Sequence, residues 1–165
     1  MFKQLFPQCI DNAYRGHKLA LWLFGVVALV KLFQSLVSIF NGYSTLRIAD
    51  GIPLDTFTPA GARTVVSLFA VLGLSGSIIC LICLVVLVRY RSMIPLMFAL
   101  LLLEYLSRRV ILHFLPVART GTPPGSIVNL IIVALMVIGF ALSFWSHAGP
   151  MPNQGLQPTA DRRDV

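Results

Sequence analysis

Four long apolar runs, separated by short polar or turn-forming segments, organise the chain. They cover Leu19 to Phe40, Thr64 to Val88, Met93 to Leu115 and Ser126 to Trp145. At a rise of about 1.5 Å per residue, each is long enough to cross roughly 30 Å of hydrocarbon. No internal repeat and no sustained heptad competes with this reading. The pattern predicts an all-α polytopic membrane protein with four transmembrane helices, at about 19–40, 64–88, 93–115 and 126–145, in an up-down four-helix bundle.

The breaks between runs have local causes. Asp50-Gly51, Pro53 and Pro59 lie in the 41–63 connection and favour turns, so this stretch is expected as an outer loop that caps the bundle. Arg89, Tyr90 and Arg91 end the second run. Ser92 is the expected N-cap of the third helix, with Pro95 in its first turn, where the ring is tolerated. So short a connection predicts that the second and third helices are antiparallel neighbours. The sequence Thr120-Gly121-Thr122-Pro123-Pro124-Gly125 forces a reversal before the fourth helix. Residues 1–18 form an N-terminal segment, 19–145 the transmembrane domain, and 146–165 a polar, low-complexity tail expected to be disordered. The first run is longer than the apolar core of a signal peptide and no A-x-A site follows it, so it reads as a retained helix.

Composition strengthens the membrane reading. Of 165 residues, 57% are hydrophobic and only 12% charged, and the mean hydropathy is +0.84. A soluble domain of this size could not cover itself with so few polar side chains. The net charge of +7 comes from 13 Lys and Arg against 6 Asp and Glu. These basic residues are scattered between apolar runs, which makes them topology signals rather than a nucleic-acid surface. Arg15 and Lys18 precede the first helix and Arg89 and Arg91 flank the second connection, which places both segments in the cytoplasm. Four crossings return the C-terminus to the same side. Arg47 and Arg63 in the outer loop are offset by Asp50 and Asp55, and the third connection carries Arg119. Trp22 and Trp145 fall at cytoplasmic helix ends, where indole rings anchor among headgroups.

Charges inside apolar helices cost roughly 2.5 to 3.5 kcal/mol each, so each calls for a partner or a purpose. Lys31 and Glu104 lie at similar depths in two helices of the same direction, and an ion pair between them is the economical arrangement. Lys31, Gln34, Ser35 and Ser38 share a face of the first helix; Glu104, Ser107 and Arg108 share a face of the third. The expected intramembrane polar network is therefore Lys31, Gln34, Ser35, Glu104, Ser107 and Arg108, extended by Arg109, His113 and Asn129. It reads either as an internally satisfied device that sets helix register or as the lining of a path on which Glu104 is protonated.

Cys80 and Cys83 form a CxxC, but thiol oxidoreductases of this size need further cysteines in an outer loop, and the third cysteine here is Cys9. With Gly73, Gly76 and Ser77 they read instead as a strip of small residues for close helix packing, against a neighbouring helix or a second copy of the chain. Gly73-Leu74-Ser75-Gly76 lies mid-helix without the preceding strand that a nucleophile elbow requires. His17, His113 and His147 are too far apart along the topology to share a metal, and no HExxH is present. No catalytic residue, metal or cofactor is predicted.

The segments Asp11 to Gly16, Ala49 to Asp55, Arg89 to Met93 and Arg119 to Gly125 resemble those of a group of small four-helix bacterial membrane proteins described only as hypothetical. The likeness extends to about Ser146. It implies an inner-membrane location and no known activity, so it assigns no role to any residue. Three function classes remain: a non-enzymatic structural or interaction protein, self-associated or in a larger complex; a small oligomeric transporter or ion-coupled carrier using Glu104; and a membrane enzyme acting on a lipid or quinone. The first is preferred, and the enzyme class lacks the convergent acid, base and nucleophile it would need. Small multidrug transporters are also four-helix proteins built around a membrane glutamate, but this chain differs in Lys31 and in its long first loop.

Overall fold

The computed structural model describes residues 14, 16–117, 119 and 123–145, and these contain helices and turns but no strand. Four long helices carry the fold: α1 (Lys18–Phe40), α2 (Pro59–Arg89), α3 (Ile94–Phe114) and α4 (Pro124–Phe144). The expected tail at 146–165 and nearly all of the N-terminal segment lie outside the described residues.

Local chemistry explains the helix limits. The His17 ring accepts the Leu19 N–H at 3.1 Å and caps α1, which ends where the Asn41 N–H reaches Val37 O. The chain then winds through a short turn at Gly42–Ser44 and a wider π-type turn at Thr45–Ala49. Gly51 follows with φ 67°, a left-handed conformation that favours glycine. α2 begins five residues before the expected Thr64. Thr58 is extended and its hydroxyl accepts the Gly61 N–H, and Pro59 occupies the first turn. A proline just inside a capped N-terminus opens a helix rather than breaking it. α3 starts at Ile94 after a 3-10 turn at Arg91–Met93, so Met93 and not Ser92 stands at its N-cap position.

Close contacts define how the helices run. Gly42 abuts Val66 and Phe69, Gly73 abuts Ser35, Ser38 and Ile39, and Gly25 abuts Leu87, so α2 runs antiparallel to α1. Phe24 meets Phe98 edge-on with ring centroids 5.0 Å apart, and Lys31 meets Glu104, so α1 and α3 are parallel. Gly125 lies under Ala49 and the Ser143 carbonyl lies beside Gly16, which makes α4 antiparallel to α1. The core at the crossing of these helices contains Phe24, Val27, Ala28, Cys83, Val86, Ile94, Phe98, Leu101 and Met136.

The short α2–α3 connection does not make those two helices a packed pair. α2 packs mainly on α1, α3 on α4, and α1 on α4, while α2 and α3 touch little. Small residues decide this arrangement. Gly73 lets the α1 backbone approach, and a Cβ on Gly139 would fall within 2.5 Å of the buried Phe98 ring. Sites where a side chain is missing set which faces can meet, and chain proximity does not override them.

Outside this narrow core, large apolar side chains are exposed on every helix, among them Trp22, Phe33, Leu68, Leu103, Ile127 and Leu130. Three helices, α1, α2 and α4, are long and apolar enough to cross a membrane. α3 differs from them in carrying three charged residues, Glu104, Arg108 and Arg109, within its 21 residues.

Candidate functional site

The most concentrated polar chemistry lies between α1 and α3, whose backbones touch as little as those of α2 and α3 and which meet through long side chains. Lys31 Nζ donates to Glu104 Oε2 at 2.9 Å, and Arg108 Nη2 donates to Glu104 Oε1 at 2.7 Å from one turn along α3. Each carboxylate oxygen therefore faces its own cation, in short charge-assisted bonds. The side chains of Lys31 and Glu104 are 20% and 30% exposed, whereas Arg108 is 57% exposed and reaches outward. The three groups sum to one positive charge.

The other candidates of the polar network do not join this cluster. The Gln34 carbonyl accepts the Ser38 hydroxyl at 2.9 Å, a bond within α1. Ser35 is turned toward α2, where its Oγ lies 2.6 Å from the position a Gly76 Cβ would take. Ser107 is exposed on α3. Arg109, His113 and Asn129 are exposed too, and His113 makes a ring contact with its neighbour Phe114. The physical reason is reach: Lys31 and Arg108 have long stems that converge on Glu104, while the short hydroxyls stay on their own helices.

The small-residue strip of α2 faces α1. A Cβ on Gly73 would lie 2.9 Å from the Ser35 carbonyl oxygen and 3.0 Å from Ser38 Cβ. Ser77 is buried and returns its hydroxyl to the Gly73 carbonyl at 3.0 Å. Cys80 and Cys83 are buried free thiols. Among the described residues, no three His, Cys, Asp or Glu side chains are grouped as a metal would require.

Two titratable groups at the helix ends escaped the sequence reading. The Tyr14 hydroxyl is buried without a hydrogen-bond partner, and burial pushes its pKa up to about 12. Asp50 is half-buried against Gly125, in the first turn of α4. Burial raises its pKa above the usual carboxylate range, opposed but not overcome by the guanidinium groups of Arg119 and Arg108. The only sequence signal was Asp50-Gly51, which reads as a turn whether or not the carboxylate is covered. A raised folded-state pKa means that Asp50's favourable contribution is complete below its unfolded pKa of 3.8 and is lost as pH rises through the folded value. Asp50→Asn should therefore melt above the wild type at pH 7, and the gap should close below pH 3.8. Thermal melts across that range check it; a wild type that is the more stable at pH 7 would contradict it.

No protein-family model, curated protein or solved structure matches the chain.

Proposed function

We propose that the chain is a four-pass protein of the bacterial inner membrane, with both termini in the cytoplasm and a structural or interaction role rather than a catalytic one. Crossing by α3 is supported by the pairing of its one acidic residue with Lys31, and by the position of Arg108 and Arg109 near its end, from which long side chains can snorkel to headgroups. Orientation is supported by charge. In the sequence, Lys3, Arg15, Lys18, Arg89, Arg91, Arg162 and Arg163 flank the helix ends on one side, against Arg47, Arg63, Arg108, Arg109 and Arg119 on the other, an excess of two basic residues.

The observation that carries the role is the state of Glu104. It is the one carboxylate within the long helices, and cations occupy both its oxygens. A group so compensated sets helix register well and carries protons poorly. Because the α2 strip faces α1, another membrane protein or a second copy would meet the outward faces, such as Leu68 and Leu72 of α2 or Ile127 and Ile131 of α4. The partial exposure of Glu104 favours the carrier as the second reading, in which substrate or proton displaces Lys31. The enzyme reading gains no supporting observation.

Proteoliposomes decide between the first two. The wild type should pass no more protons than empty vesicles, and Glu104→Gln should change nothing; flux that this substitution abolishes in a folded protein would establish the carrier. Cysteine labelling at Ser44 and Asp161, in a chain whose own cysteines are serine, should reach opposite sides of the membrane. Labelling of both from one side would overturn the four-pass topology.

A further inference from the structure

At the loop end of α1 and α2 lies a groove of about 610 Å³, within the size range of small-ligand sites. One wall is a single face of α2: Pro59, Ala62, Arg63, Val66 and Ser67. The other wall comes from the connection, chiefly Tyr43, Leu54 and Phe57, with Asp55 at the rim.

The charges around it are unequally matched. Asp55 is taken by Arg47 at 3.2 Å and lies 3.5 Å from the Tyr43 hydroxyl. Arg63 is exposed and has no anionic partner among the described residues. Arg47, Asp55 and Arg63 therefore leave one positive charge, carried by the guanidinium that lines the groove. Such a group binds phosphate oxygens well.

The depth of Arg63 follows from helix register. Gly42, just past the end of α1, lies against Val66, so the first turns of α2 project beyond α1. With 31 residues, α2 is about 46 Å long, well over the roughly 30 Å of hydrocarbon. Arg63 thus stands about one turn outside the level where α1 ends, among headgroups, while Val66 lies about one turn deeper, at the acyl boundary, and Phe57, against Gly61, lies on the outer side of Arg63. Inorganic phosphate would use the cation and leave the apolar walls wet; a phospholipid uses both.

We propose that this groove binds an anionic phospholipid of the outward-facing leaflet, its phosphate held by Arg63 and its upper chain resting on Val66 and Tyr43. The proposal rests on α1 and α2 crossing the bilayer in the orientation argued above, and not on the role. The test uses the full chain in nanodiscs made from equal amounts of phosphatidylglycerol and phosphatidylcholine, with retained lipid read by native mass spectrometry. The wild type should retain phosphatidylglycerol preferentially, and Arg63→Gln should reduce that preference about fivefold. Ser67→Trp, which fills the groove from an exposed position, should release both lipids, while Arg109→Gln should behave as wild type. Unchanged retention in Arg63→Gln, an equal loss in Arg109→Gln, or displacement of the lipid by inorganic phosphate would each overturn the assignment. Failure of the wild type to enter nanodiscs would overturn the membrane reading, and this site with it.

Discussion

Glu104→Leu should destabilise the protein by about 3 to 5 kcal/mol, because it strands Lys31 in a largely buried position and leaves Arg108 without its acceptor. Lys31→Met should cost less, about 2 kcal/mol, since Arg108 still engages one carboxylate oxygen. The double variant Lys31→Met/Glu104→Leu should recover most of the larger loss. It removes both buried charges, and the half-exposed Arg108 can turn toward the headgroups. Equilibrium unfolding in detergent would supply the three values. These values imply a coupling of about 4 kcal/mol, above the usual range for residues in direct contact; simple additivity would mean that Lys31 and Glu104 do not act as partners in the folded protein.

Gly73 should be the least forgiving of the small residues on α2. A methyl group there meets the Ser35 backbone carbonyl, which cannot move without shifting α1, so Gly73→Ala should cost about 1 to 3 kcal/mol despite its better helix propensity. Gly73→Leu should exceed that range. Gly76→Ala differs in kind, because the atom it meets is the Ser35 hydroxyl, the end of a side chain that can rotate. A propensity gain of about 1 kcal/mol then offsets the adjustment, and the change should be nearly neutral. Val85→Ala, on the exposed face, should stay within about 0.5 kcal/mol. Equal effects at Gly73 and Gly76 would show that α1 and α2 are not in backbone contact at that point.

Helical content and approximate helix positions were legible in the sequence because they depend on nearby residues. Apolar runs of 20 to 25 residues, ended by Pro, Gly and basic clusters, leave little but helices to form. The start of α2 was misjudged for a local reason as well: Pro59 reads as a breaker until Thr58 is recognised as the cap before it. Lys31 and Glu104 stand out in the sequence as charges at similar depth in apolar runs, a pattern that needs no structure to notice.

Only the tertiary structure decided which faces meet. The short α2–α3 connection suggests a packed pair, yet Gly73 admits α1 and Gly139 admits Phe98, and these approaches outweigh nearness along the chain. They also decide the composition of the polar cluster. Ser35 is drawn toward Gly76 and away from α3, so Glu104 is left with the long reach of Lys31 and Arg108, while Gln34 and Ser107 stay apart. The burial of Asp50 and the groove around Arg63 arise in the same way, from how the 41–58 segment folds over the helix ends. Local hydropathy and capping determine that a segment is helical; the choice of its neighbours depends on where side chains are small enough for two backbones to approach, and that is a property of pairs of surfaces rather than of either sequence alone.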